Sequence, residues 1–324
     1  MKKTVLLMSL LLLAMSVQAQ QADSSSANSA AEPSPQGTSP TSVSFPVERV
    51  QTPTHADLYC AGFLTKQSVP NANFVAGGLH TANTTKFVNG DMIYLGGSGY
   101  QSGQEYTILR ALKDPNKYEL FAGQNSLIKA TGQPYAELAQ VKIIDTRSKS
   151  AIAQVEFSCD AVVPGDIAVP FAEKPAVSFH SAVHFDRFAP ANGKLSGRIV
   201  MAKDFDTVVG TGQKVYMNVG ASQGIKVGDY FRAVRSYEAD LKDPVDSLSF
   251  KASTTEDTQK DAPSIEPKFM SHSKGQVIRV ADLPRRAVGE IVVISATDTT
   301  ATGMIVFALE DVHVGDGVEL DEQQ

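Results

Sequence analysis

Short apolar runs separated by polar turns fill most of this chain, and within the runs the side chains alternate with the two-residue period of β-strands. Ala151 to Phe157 shows it best: Val155 and Phe157 are apolar while Gln154 and Glu156, which alternate with them, are polar. Met92 to Leu95, Glu105 to Leu109 and Gln140 to Ile144 are further short runs rich in β-branched and aromatic residues. A second set follows at Lys214 to Val219, Tyr230 to Val234, Gly289 to Ser295 and Gly303 to Leu309. Between the last two, Ser295 to Thr302 supplies turn residues and predicts a hairpin. Almost no helical periodicity interrupts these runs, so the pattern predicts an all-β fold.

The two sets are copies of one module. At a constant offset, Val141, Ile143, Ile144, Ala151, Val155, Phe157, Val162, Gly165 and Asp166 fall on Ile291, Val293, Ile294, Ala301, Ile305, Phe307, Val312, Gly315 and Asp316. Gly90, Ile93 and Tyr94 fall on Gly212, Val215 and Tyr216. Gly103, Tyr106 and Arg110 fall on Gly228, Phe231 and Arg235. Upstream, Gly62-Phe63-Leu64 aligns with Gly197-Arg198-Ile199. We therefore expect two tandem copies of a small β-barrel-like module after a disordered N-terminal leader, with a sandwich as the alternative to a barrel. Closure into a barrel removes exposed strand edges.

The expected boundaries are a signal peptide at 1–19, a disordered leader at 20–52 and repeat one at 57–171. A linker at 172–192 and repeat two at 193–321 follow, with a flexible acidic insertion at about 238–273. Lys2 and Lys3, the apolar run from Val5 to Met15, and small residues up to Ala19 form the secretory signature. The apolar run is too short to span a bilayer. The leader, rich in Ser, Ala, Gln, Pro and Thr, has too few large apolar residues to offset the entropy of ordering. Phe179, Phe185 and Phe188 in the linker suggest that it packs in place. In repeat one, 113–133 is a shorter excursion whose Tyr118, Leu120 and Phe121 predict order.

The matched positions are core residues and turn glycines, which argues for a duplicated scaffold. The pairs Gly90-Asp91, Gly165-Asp166, Gly228-Asp229 and Gly315-Asp316 predict tight turns, because Gly accepts positive φ and Asp bonds nearby amides. Calcium binding is the alternative for those carboxylates, but no spaced acidic loop accompanies them. Arg110 and Arg235 end matched strands, where an edge ion pair or a capping contact explains them.

Export places the only two cysteines, Cys60 and Cys159, where disulfides persist. Cys60 falls at the expected first strand of repeat one and Cys159 after its last long strand, so a bridge would join the ends of that module. Two separate thiols remain the alternative. His180 and His184 stand four apart with Asp186 beyond, but no third zinc ligand has a recognisable spacing. No nucleophile elbow, zinc-protease motif or phosphate loop occurs. We expect no cofactor, no metal and no catalysis.

With Lys2 and Lys3 removed, 27 basic side chains stand against 35 acidic ones, a net charge of −8. That surface repels phosphate backbones, so nucleic acid is excluded as a partner. Trp is absent, which weighs against a stacking platform for carbohydrate.

Val215 to Gly220 with Gly224 to Phe231 resembles the opening of the carboxy-terminal domain of the flagellar assembly protein T family. Val288 to Val293, Ala301 to Phe307 and Val314 to Val318 resemble its close. Similar modules occur in exported bacterial proteins carrying LysM units. The likeness is clearer in repeat two, and it implies a periplasmic setting in a ring around the flagellar basal body. It brings no site residues with it. The expected role is a non-enzymatic exported envelope protein, periplasmic or secreted, that binds a protein or peptidoglycan. Two alternatives are a subunit of an envelope assembly and a hydrolase at the module junction using His180, His184, Asp186 and Arg187.

Overall fold

The computed structural model describes residues 51–79, 83–113, 118–147, 149–180, 185–236, 264–266, 277–279 and 284–321. The signal peptide, the leader through residue 50, His184 and all of the insertion except 264–266 lie outside the described residues.

The first module comprises α1 (His55–Tyr59), β1 (Phe63–Thr65), β2 (Phe74–Gly78), β3 (Met92–Gly96), β4 (Glu105–Ala111), α2 (Gln124–Thr131), β5 (Gln133–Asp145), β6 (Ala151–Ser158) and β7 (Ile167–Pro170). Its strands β2-β3-β6-β5-β4-β7 form a closed antiparallel barrel, and β1 adds to β5 outside the ring. The second comprises β8 (Ser196–Ala202), β9 (Val208–Val209), β10 (Lys214–Met217), β11 (Tyr230–Arg235), β12 (Ser264–Glu266), β13 (Val277–Arg279), β14 (Arg286–Ala296), β15 (Ala301–Ala308), β16 (Val312–His313) and β17 (Gly317–Asp321). Here β8-β10-β15-β14-β11-β17 close the barrel, again with every pairing antiparallel.

The two rings have the same strand order, with β2, β3, β4, β5, β6 and β7 standing for β8, β10, β11, β14, β15 and β17. Their irregularities coincide as well. The ladder slips between Val75 and Gly77 opposite β3, and between Ile199 and Met201 opposite β10. It slips at Ile108/Leu109 and again at Ala233/Val234. Bulges bend strands, so these matched positions give both barrels the same curvature.

Alternation fills each barrel. Val75, Ile93, Leu95, Ile108, Val141, Ile143, Ala153 and Val155 occupy the first core. Ile199, Val215, Met217, Phe231, Ile291, Val293 and Ile305 occupy the second. The described part of the excursion of repeat one contains α2, and its Phe121 sits against the second barrel's core rather than its own. The hairpin expected between the last long runs is β14–β15, closed by Thr297 N donating to Thr300 O at 2.8 Å.

One alignment is overturned. Gly62-Phe63-Leu64 is not the counterpart of Gly197-Arg198-Ile199. Val75 N donates to Asp166 O and Ile199 N donates to Asp316 O, so Val75 is the counterpart of Ile199. A glycine followed by an aliphatic residue misled the match, whereas the true stave, Phe74-Val75, shares no residue identity with it. Cys60 is likewise not on the first barrel strand: it caps the C-terminus of α1. Within the insertion, the described residues 264–266 form a parallel ladder with β13. Among the described residues no helix is long and apolar enough to cross a membrane.

Candidate functional site

Ala61-Gly62-Phe63-Leu64 is a run of small and apolar residues with one glycine, and this composition lets it lie between two surfaces. Residues 57–67 form a strap. One side belongs to the first barrel through the β1–β5 ladder and through the Cys60–Cys159 disulfide, with Cα atoms 5.6 Å apart. The other side lies on the outer face of β8, β10 and β15.

There Leu64 packs with Val200, Met201 and Tyr216. Ala61 packs with Tyr230, Val292, Ile294 and Met304. Side-chain hydroxyls of the second barrel satisfy the carbonyls of the strap. Tyr216 Oη donates to Ala61 O at 2.8 Å, Thr302 Oγ1 to Gly62 O at 3.0 Å and Thr300 Oγ1 to Leu64 O at 2.6 Å. Burial pushes the Tyr216 phenol well above its usual pKa, so it stays a donor.

Charged groups close the strap's flanks. Asp57 pairs with Lys214. Burial raises the Asp57 carboxyl, but hydrogen bonds from Lys214 and Thr54 outweigh it and hold the group below the ordinary range. Glu137 accepts from Gly62 N at 3.1 Å and from Lys174 Nζ at 2.7 Å. Its burial outweighs the Lys174 charge, so its pKa is raised.

Gly62 has φ +70°, and a Cβ there would lie 2.5 Å from Tyr216 Oη and 2.7 Å from Tyr135 O. Gly62→Ala is expected to cost about 1–3 kcal/mol through the left-handed backbone, with the contact to the Tyr135 carbonyl adding to it. A urea titration of both proteins measures the difference, and an unchanged midpoint refutes the close approach.

The recurring Gly-Asp pairs sit in hydrogen-bonded turns. Gly90, Gly165, Gly228 and Gly315 have φ of 87°, 94°, 96° and 109°. Asp91, Asp166, Asp229 and Asp316 each accept, through Oδ2, from the amide three residues earlier at 2.7–2.8 Å. Gly103-Gln104 and Gly212-Gln213 complete the set, with the glutamine oxygen in the carboxylate's place. So 90–91 corresponds to 212–213, and 103–104 to 228–229, in agreement with the alignment of their glycines. Glutamine does the same work because only an acceptor oxygen is required.

Arg110 and Arg235 occupy one position in the two barrels. Arg110 donates through Nε and Nη2 to Asp166 at 2.8 Å each, and through Nη2 to Ala161 O. Arg235 does the same with Asp316 and Asp311 O. A bidentate fork of this kind holds the turn before β7 or β17 onto β4 or β11.

The junction residues singled out as candidate hydrolytic groups have separate partners. The ring of His180 stacks on Tyr230, Asp186 accepts from Phe188 N, and Arg187 pairs with Glu310; His184 lies outside the described residues. Among the described residues no group of three His, Cys, Asp or Glu side chains is placed to hold a metal ion. An open cleft of about 440 Å³ lies beside the disulfide, lined by Asp57, Phe157, Lys203, Asp204 and Lys214. Four of its charges pair, Lys203 with Asp204 at 2.6 Å and Lys214 with Asp57, and Asp206, also in its lining, accepts from Gln213 Nε2 at 3.1 Å.

The strap and its hydroxyl partners were not singled out from the sequence. Their only signal is that Tyr216, a counterpart of Tyr94, and the threonines of the β14–β15 turn are polar residues on strands otherwise apolar. The chain matches no protein-family model and no curated protein.

Proposed function

We propose that this chain is a non-enzymatic, exported scaffold or binding module of the cell envelope, with a protein or peptidoglycan as its partner. The observation that carries this reading is the fate of the duplicated polar residues. In both modules the matched carboxylates and arginines are spent inside the fold, on turns and on the Arg–Asp forks, and among the described residues none of them converges on a shared pocket. Export agrees with a disulfide across the strap, since such bonds persist in oxidising compartments. The test immobilises the mature protein and exposes it to envelope extract and to purified wall sacculi. Retention of a defined protein or of sacculi is the expected result. Recovery of neither overturns the reading.

A second reading, a structural subunit of an envelope assembly such as a flagellar basal-body ring, is favoured by one feature. Two like modules meet through unlike surfaces, the strap side of one and the β8–β10–β15 face of the other. This reading also draws on the likeness of repeat two to the flagellar assembly protein T family.

A further inference from the structure

The junction between the modules is heterologous, so among the described residues each chain holds one unused copy of each of its two surfaces. The first unused surface is the face of β2, β3 and β6. Residue by residue it is the counterpart of the strap's seat: Ala76, Gly77, Tyr94 and Ile152 stand where Val200, Met201, Tyr216 and Thr302 stand. Those four in the second barrel are buried beneath the strap and α2. In the first barrel Ala76 is exposed, the other three are half-buried, and Phe74 beside them is 41% exposed.

The second unused surface is the strap side of module two. Ala287 N donates to Arg187 O at 2.7 Å, so the chain after Arg187 flanks β14 as the strap flanks β5. Phe188 stands there 60% exposed. Leu309, the counterpart of Cys159, is 46% exposed on the strand-end beside it. Among the described residues, two apolar surfaces are therefore left uncovered, each at the place of one half of a contact the chain already makes.

We propose that copies of this chain associate head to tail, the Phe188 and Leu309 surface of one copy seating on the Phe74, Tyr94 and Ile152 face of the next. The occupant of the free face is a second copy because the existing junction supplies both halves of the contact. A heterologous contact of this kind propagates into a ring or an open filament according to its rotation. Phe188 stands near the place of Gly62, so the surfaces approach less closely than within the chain. The association is accordingly weaker than the tethered junction. The inference rests on the scaffold reading and names one partner within it.

Complementary variants test it. In sedimentation velocity over a concentration series, the wild-type mature protein should form species larger than a dimer. Phe188→Asp, at an exposed position, and Ile152→Asp, at a half-buried one, should each be monomeric with unchanged circular dichroism. Mixed together they should form one-to-one dimers and nothing larger, because each retains the surface the other lacks. Where affinity is low, Tyr94→Cys mixed with Phe188→Cys under mild oxidation should give the mixed disulfide several-fold over either homodimer. A wild type that is monomeric throughout, with no excess of the mixed disulfide, overturns the proposal. So does a dimer that survives both single changes. A monomeric chain that still captures an envelope protein or sacculi removes the self-association and leaves the scaffold reading standing.

Discussion

Asp316→Ala should destabilise the second barrel by about 3–5 kcal/mol, the usual cost of stripping one partner from a buried ion pair. Arg235 is left with a guanidinium whose side chain is 9% exposed and loses both bonds of its fork to the carboxylate. The His313 amide loses its acceptor at the same time, and with it the turn before β17. The equivalent change in the first barrel, Asp166→Ala, should cost less, because Arg110 is 30% exposed and water screens what the carboxylate no longer does. Replacing both partners, Arg235→Met with Asp316→Leu, should recover much of the loss, since an apolar pair of similar volume leaves no charge buried. Guanidinium titrations of the four proteins, compared at constant slope, decide it. Equal losses at 166 and 316, or a loss at 316 below about 1 kcal/mol, would mean that the fork is not buried as described.

Loss of the disulfide should be the other large effect. Cys60 and Cys159 are 99 residues apart, and a loop of that length is worth about 4.7 kcal/mol in the chain-entropy model before strain is subtracted. The paired change Cys60→Ser with Cys159→Ser should lower stability by several kcal/mol, while β1 on β5 keeps the fold intact. Dithiothreitol should bring the wild type to the same midpoint and leave the paired variant where it is. A reductant that shifts the variant equally would show that the effect lies elsewhere. The bridge also has an architectural consequence. It ties the strap to the end of β6, so the segment that lies on the second barrel is covalently part of the first. The second barrel has Leu309 where the first has Cys159 and carries no staple of its own.

Strands and repeats were legible because their signals are local. Apolar alternation in Ala151 to Phe157 and turn glycines at 90, 165, 228 and 315 mark period and reversal within a few residues, and both survive duplication. The matched arginines were legible as a pair for the same reason. The error at Gly62 arose where locality fails: a three-residue spelling carries no hydrogen-bond register, and only the ladder identifies Val75 as the partner of Ile199. The glycine alignment, 90 with 212 and 103 with 228, holds although the next residue differs, since an acceptor oxygen from glutamine serves two of the six turns. Phe121 in the second barrel's core, and Tyr216, Thr300 and Thr302 as donors to the strap, depend on contacts across 155 to 240 residues of chain. No window of sequence contains both ends of those contacts.

From the amino-acid order alone came the all-β character, the duplication and the service of its recurrent residues to turns and ion pairs, because backbone period and turn chemistry act over a few neighbouring positions. Closure into two rings of identical strand order was settled only in three dimensions. So were the seating of residues 57–67 between them and the exposure of one module's face where its twin is covered. Those outcomes turn on which surfaces meet, and the same half-apolar strand serves equally well against a strap or against solvent until its neighbours are in place.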